Sequence, residues 1–191
     1  MHEFAEHMFT PAVMRIQEQY GSRDHNKRFA SIAGPNTKLT DRETSFVQQR
    51  DTFYMATVNE DGWPYVQHRG GPPGFLRVLD SSRLGYADFR GNTQLISVGN
   101  VSSNNKVSLI LMDYPNRRRL KIIGHMQVKS VKEAADQDID AVALTDYRAL
   151  VERVVTIDVV AFDWNCPQHI TPRYTLVEWH ALEADGTGEE S

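Results

Sequence analysis

From Thr52 to Trp164 the chain is a succession of short apolar runs broken by turn residues. The run "TFYMATV" (52–58) is β-branched and aromatic, "NEDG" (59–62) is a hairpin turn in which Gly62 is free to take positive φ, and "WPYVQHRG" returns as a second strand. Pro64 is tolerable there because it stands at the strand's start. Gly70–Gly74 reads as a turn around two prolines, "FLRVL" and "RLGYAD" as two more short strands, and "KVSLILMDY" and "RRLKIIGHMQVKS" as a second hairpin across "PNR". "RVVTIDVVAFDW" is a last long strand. Helical spacing is confined to the flanks and two interruptions. "TPAVMRIQEQYG" sets Val13, Ile16 and Tyr20 at helical spacing and stops at Gly21. "TDRETSFVQQR" opens with Thr40 and carries Glu43 three residues on, a capping box that turns Phe46 and Val47 to the core. Residues 92–101 predict a short helix, and roughly 131–150 a polar one.

Antiparallel strands in hairpins, with few helices between them, predict a mainly β fold: a six-stranded antiparallel barrel with helices on its outside. The tight turns argue against a doubly wound parallel sheet, which needs long crossovers. We divide the chain into a helical arm packed on the barrel (1–50), the barrel domain (51–182) and an acidic flexible tail (183–191).

Composition narrows the function. The chain has 191 residues, 40% hydrophobic and 24% charged, with a formal net charge of -4. Its one polybasic run is Arg117–Arg119, which argues against a nucleic-acid partner. No run of apolar residues is long enough to span a membrane, and "MHEFAEHMF" lacks the basic start and apolar stretch of a secretory signal. The single cysteine, Cys166, cannot form an internal disulfide, so a cytoplasmic setting is expected. Cys166 near His169 lacks an orienting acid and is not expected to be a nucleophile. The histidines show no metal pattern, and no metal is expected; His2 and His7 lie in a terminal arm. Rossmann and nucleophile-elbow motifs are absent from the sequence.

The candidate chemistry lies in "GYADFRGNTQLISVGN" (85–100), where a strand passes into a helix through Arg90-Gly91-Asn92-Thr93. Such a joint is either a plain surface turn or an anion site of backbone amides and an arginine fork. Gln67 and Arg69 share one face of their strand, with His68 on the other.

The ordered set "ATVNEDGWPYVQHRGGPPGFLRVLD", "YADFRGNTQLISVGNVSSNNKVSLILMDY" and "RRRLKIIGHMQV", within Thr52–Lys129, resembles the FMN-binding split barrel of the pyridoxamine 5'-phosphate oxidase-like superfamily. The resemblance implies a homodimer with FMN in two clefts between subunits, and a flavin-dependent oxidoreductase acting on a small molecule; the alternative is a non-catalytic flavin or haem carrier. It implies cofactor contacts from Gln67, His68, Arg69, Asp88, Arg90, Asn92, Thr93, Arg119, Trp164 and Gln168. Gln67 stands where the family has an arginine, and Arg69 follows on the same face. Arg90-Gly91-Asn92 matches the family's phosphate-gripping turn, with Asn92 replacing a lysine. Arg119 falls at the position of a glutamine that approaches the flavin pyrimidine. The ending "DWNCPQHITPRYTLVEW" lacks the arginine–histidine pattern that holds a pyridoxal substrate, so vitamin B6 phosphate is not the expected substrate. Trp164 either stacks on a flavin or is a core aromatic at a strand end, and His169 reads as a hydrogen-bonded loop histidine.

Overall fold

The strand-forming pattern of residues 52–70 closes into a hairpin, with Gly62 at φ 83° in its turn. The structure, a computed structural model, describes residues 2–32, 34–144, 147–164 and 167–186. Four helices come first: α1 (Glu3–Met8), α2 (Pro11–Gln19), α3 (Arg23–Ile32) and α4 (Asp41–Gln48). The strands are β1 (Thr52–Val58), β2 (Pro64–Gly70), β3 (Arg77–Asp80), β4 (Arg83–Phe89), β5 (Lys106–Asp113), β6 (Arg118–Ser130) and β7 (Val151–Trp164). Helix α5 (Ile96–Ser103) lies between β4 and β5, α6 (Asp136–Val142) between β6 and β7, and α7 (Leu176–Gly186) follows β7.

The fold is the expected antiparallel split barrel with peripheral helices. Its sheet has seven strands rather than six, in the order β2-β1-β5-β6-β7-β4-β3. The short β3 pairs only with β4, at the sheet's edge. The long strands β6 and β7 pair with each other from Leu120–Trp164 to Ser130–Arg153. Strand β5 uses the first half of β6, and β4 the first half of β7. Each long strand therefore belongs to both halves, and the sheet curls until its flanks meet. Phe53 of β1 and Tyr86 of β4, not neighbours in the sheet, meet edge to face at 5.6 Å. Leu84, Leu109, Leu111, Leu120, Ile122, Met126 and Ile157 fill the interior between them.

Two helical expectations need correction. Helix α5 begins at Ile96, because Thr93 (φ 59°) and Leu95 (φ 54°) hold the chain in left-handed conformations that a helix cannot include. Among its described residues, the polar stretch 131–150 yields only the two turns of α6. Ile139 and Val142 there reach the apolar cluster of Ala87 and Val154, and the backbone turns extended at Ala143. In the arm, α1 and α4 contact the barrel, whereas α2 turns Ile16 and Tyr20 to solvent.

The capping box of α4 forms and does more than cap. Glu43 accepts from the Thr40 N–H and hydroxyl through one oxygen and from Trp164 Nε1 at 2.7 Å through the other. Phe46 and Val47 are buried beneath it, as their spacing predicts. Burial pushes the Glu43 carboxyl up, but these hydrogen bonds outweigh it and hold the group below its ordinary value of 4.5. A depressed carboxylate stabilises the fold above its unfolded pKa, and that contribution is lost as pH falls through the folded value. Glu43→Gln is expected to cost about 1–3 kcal/mol at neutral pH. In urea titrations the gap to the parent should narrow as pH drops below the ordinary carboxylate range. A gap independent of pH would show that the charge does not matter.

Candidate functional site

In an antiparallel ladder, directly opposed residues share a face. Arg69 opposes Phe53 and Gln67 opposes Met55, so both polar side chains of β2 point to the inside of the barrel. Arg69 crosses the split to β4, where its Nη1 donates to Asp88 Oδ1 at 2.6 Å. Asp88 Oδ2 accepts from Arg153 Nε at 2.7 Å. Arg153 Nη2 then reaches Glu152 Oε2 at 3.1 Å, and Glu152 Oε1 accepts from Arg90 Nε at 2.8 Å. Five charges thus alternate in sign from β2 to the surface. Asp88 is 5% exposed, and its charge is tolerable at that depth because two arginines share it. Burial lowers the Arg153 guanidinium, yet its pairing with Asp88 and Glu152 holds it above its ordinary value. The Arg69 guanidinium lies 5.7 Å from the Tyr86 ring centre. Arg69 Nε and Tyr86 Oη are both buried without a hydrogen-bond partner among the described residues, and burial pushes the Tyr86 phenol up.

The loop after β4 forms the other wall. Arg90 N–H is bonded to the Leu150 carbonyl, and the chain then takes positive φ at Thr93 and Leu95. Positive φ is rare for bulky or β-branched residues and concentrates at functional sites. Neither Asn92 nor Thr93 caps α5, since Leu95 occupies the N-cap position; Asn92 instead accepts from the Gln94 N–H at 3.2 Å. The first α5 amide with a partner among the described residues is Gly99, bonded to Leu95 O, so the amides of the first turn are left open by them. Two side-chain bonds lock the helix to the barrel: Ser97 Oγ to Gln67 Oε1 at 2.8 Å and Asn100 Nδ2 to Thr57 Oγ1 at 2.9 Å. Between loop and strands lies a cavity of about 60 Å³, lined by Tyr65, Gln67, Arg69, Asp88, residues 91–98 and Arg153.

The cavity therefore gathers Gln67, Arg69, Asp88, Asn92 and Thr93 from the expected set. Arg90 joins through Glu152 but is 65% exposed and does not line the cavity. His68 points to the outer face, against Thr52 and Tyr54. Arg119 is on β6 beside the core residue Leu120, on the opposite face; its Nε is buried without a partner among the described residues. Trp164 meets Phe46 edge to face at 4.8 Å and is held by Glu43, which is the core-aromatic alternative. Gln168 and His169 stand in an exposed turn, His169 at φ 63°. Cys166 lies outside the described residues. No group of three metal-binding side chains occurs among the described residues, and no helix there is long and apolar enough to cross a membrane. Sequence reasoning missed Arg153, Ser97 and Tyr65. Arg153 had a signal: a cation leading an apolar strand, "RVVTIDVV", needs a partner.

The pyridoxamine 5'-phosphate oxidase family model matches residues 39–157, more than half of the chain. No curated protein sequence matches. Among solved structures, a Lactobacillus delbrueckii protein provisionally described as a pyridoxamine 5'-phosphate oxidase is 22% identical, over 68% of this chain and 96% of that one, with TM-score 0.52. HupZ from Group A Streptococcus is 16% identical, over 71% and 99% of the two chains, with TM-score 0.53. Identities this low show a shared fold.

Proposed function

The chain belongs to the pyridoxamine 5'-phosphate oxidase family, and from that premise we propose that it binds FMN and works as a flavin-dependent oxidoreductase on a small molecule. The observation that carries this reading is the cavity beside Arg69: a half-buried guanidinium whose buried Nε has no partner among the described residues, facing a loop whose helix amides are open. A phosphate monoester supplies acceptor oxygens for such donors. Arg69 and the open amides of residues 96–98 hold the phosphate, Arg153 and Arg90 add positive charge behind it, and Gln67 fixes the helix through Ser97. The flavin, when bound, supplies hydride or electron transfer, and the protein supplies position and electrostatics.

A cavity of about 60 Å³ accepts a phosphate but not a whole flavin, since pockets for molecules of that size hold roughly 300–1,000 Å³. The rest of the cofactor lies outside this pocket, and a second copy of the chain supplies the missing wall. In that homodimer we assign Arg119 and its unpartnered Nε to the flavin ring, where a guanidinium favours negative charge on the reduced form. Sedimentation is expected to show a dimer. A monomer that retains FMN in full would overturn the two-chain cleft.

One observation favours a second reading, a non-catalytic flavin or haem carrier. Asp88, the only carboxylate lining the cavity among the described residues, is bound to two arginines and is not free for proton transfer. The absorbance of the purified protein separates the cofactors: the flavin double band is expected, and a Soret band would replace FMN by haem. Steady-state oxidation of NADH or NADPH by the loaded protein then separates enzyme from carrier.

A further inference from the structure

A second cavity, of about 490 Å³, lies beside Trp164, bounded by residues of the segment 35–40, Arg42 and Glu43 of α4, and Phe162. Its volume suits a small organic ligand. The charges around it are uneven. Arg42, which lines the cavity, lies 4.4 Å from the centre of the Trp164 ring, and the exposed Arg118, just outside the lining, lies 5.0 Å from it, so two guanidiniums converge on one aromatic platform. Neither takes part in an ion pair or donates a side-chain hydrogen bond among the described residues; Arg69, Arg83, Arg90 and Arg153 are all paired. Lys38 lines the same cavity and acts at a distance on Asp80. Glu43, the one carboxylate lining the cavity among the described residues, does not neutralise them. Both oxygens of Glu43 are taken up by Thr40 and Trp164. Those bonds also fix the indole edge, so the platform is rigid before any ligand arrives.

We propose that this cavity binds a nucleoside diphosphate-type ligand, whose planar base stacks on the Arg42–Trp164 pair and whose phosphates draw on Arg118 and Lys38. Arginine suits both roles, because its flat guanidinium stacks on rings and its fork matches phosphate oxygens. Unpaired arginines beside an ordered aromatic face are the common requirement of both halves of such a molecule. The inference does not rest on the FMN reading, since none of the cavity's lining residues belongs to the phosphate pocket beside Arg69.

The test is calorimetric titration of the full chain with ADP, with adenosine and ADP compared on four proteins: parent, Arg42→Gln, Arg118→Gln and the distant, exposed Arg15→Gln. ADP is expected to bind the parent, more weakly as salt rises, and adenosine at least tenfold more weakly. Arg118→Gln should weaken ADP by about tenfold, the loss of one charge-assisted hydrogen bond, Arg42→Gln should weaken it by about the same factor through the lost stacking surface for the base, and Arg15→Gln should leave it unchanged. Both arginines are exposed or at the surface of the fold, so unchanged thermal melting will confirm that the variants are intact. Prior loading with FMN should leave ADP affinity unchanged. No binding of ADP, equal binding of adenosine, indifference to both arginine variants, or displacement of ADP by FMN would each overturn the proposal.

Discussion

Arg69→Ala is expected to weaken FMN by roughly ten- to a hundredfold and to leave riboflavin, which lacks the phosphate, almost untouched. That range is the loss of one charge-assisted hydrogen bond, worth about 1.5–3 kcal/mol. Removing Arg69 also changes the local charge, because Asp88 then keeps only Arg153. That second effect also lowers stability, as breaking a buried pair from one side commonly does. Asp88→Asn separates the two. It breaks the same contact, so it too should destabilise the fold, but it removes a negative charge beside the phosphate and should hold or tighten FMN. Arg90→Ala should act more weakly than Arg69→Ala, since the Arg90 guanidinium is exposed and committed to Glu152. Fluorescence titration with both ligands reads all three variants. If Arg69→Ala harms FMN and riboflavin equally, the cavity is not a phosphate site. If Asp88→Asn weakens FMN as much as Arg69→Ala does, the arginine serves the fold alone.

The parts of this fold that were legible are those set by local rules. The β1–β2 hairpin needs a residue free to take positive φ after a polar turn, and Gly62 announces it. Thr40 and Glu43 mark the start of α4 because capping uses side chains three residues apart. The Arg90–Thr93 joint was visible as a strand-to-helix passage, but not its shape. Positive φ at Thr93 and Leu95 contradicts their intrinsic preferences, so no propensity predicts it. Arg69 and Gln67 were placed on one face by alternation, yet which face depends on the curl of the whole sheet. Asp88 and Arg153 meet Arg69 only because β6 and β7 bend far enough to bring β4 across from β2. Long-range closure of this kind leaves no trace in a short window of sequence, although a charge inside an apolar strand hints that a partner exists.

The bend itself supplies the second large effect. Gly124 sits in β6 where the register against β7 slips, with Ile123 opposite Ala161 but Gly124 opposite Val159. At the same point the Val159 amide leaves β6 and bonds to Ser82 O, in the β3–β4 turn. A bulge accentuates the local bend and twist of a strand, and glycine there lets the two backbones approach closely. A Cβ on Gly124 would lie 2.5 Å from Asp158 O and 2.8 Å from Ile157 Cγ2. The nearer atom is backbone in a paired strand and cannot rotate away, so the strands themselves must part. Gly124→Ala is therefore expected to cost about 3 kcal/mol or more, at the upper end of overpacking. In a chain of this size that lowers the melting temperature by roughly 6–12 °C. Because the same bend brings Asp88 to Arg69, FMN affinity should fall with it. Gly99→Ala in α5 is the control. Nothing lies within 4 Å of its added Cβ, and replacing glycine inside a helix should raise stability by about 0.5–1 kcal/mol. Thermal melts of the two variants should move in opposite directions, and a Gly124→Ala protein that melts with the parent would show that the β6 bulge relaxes without strain.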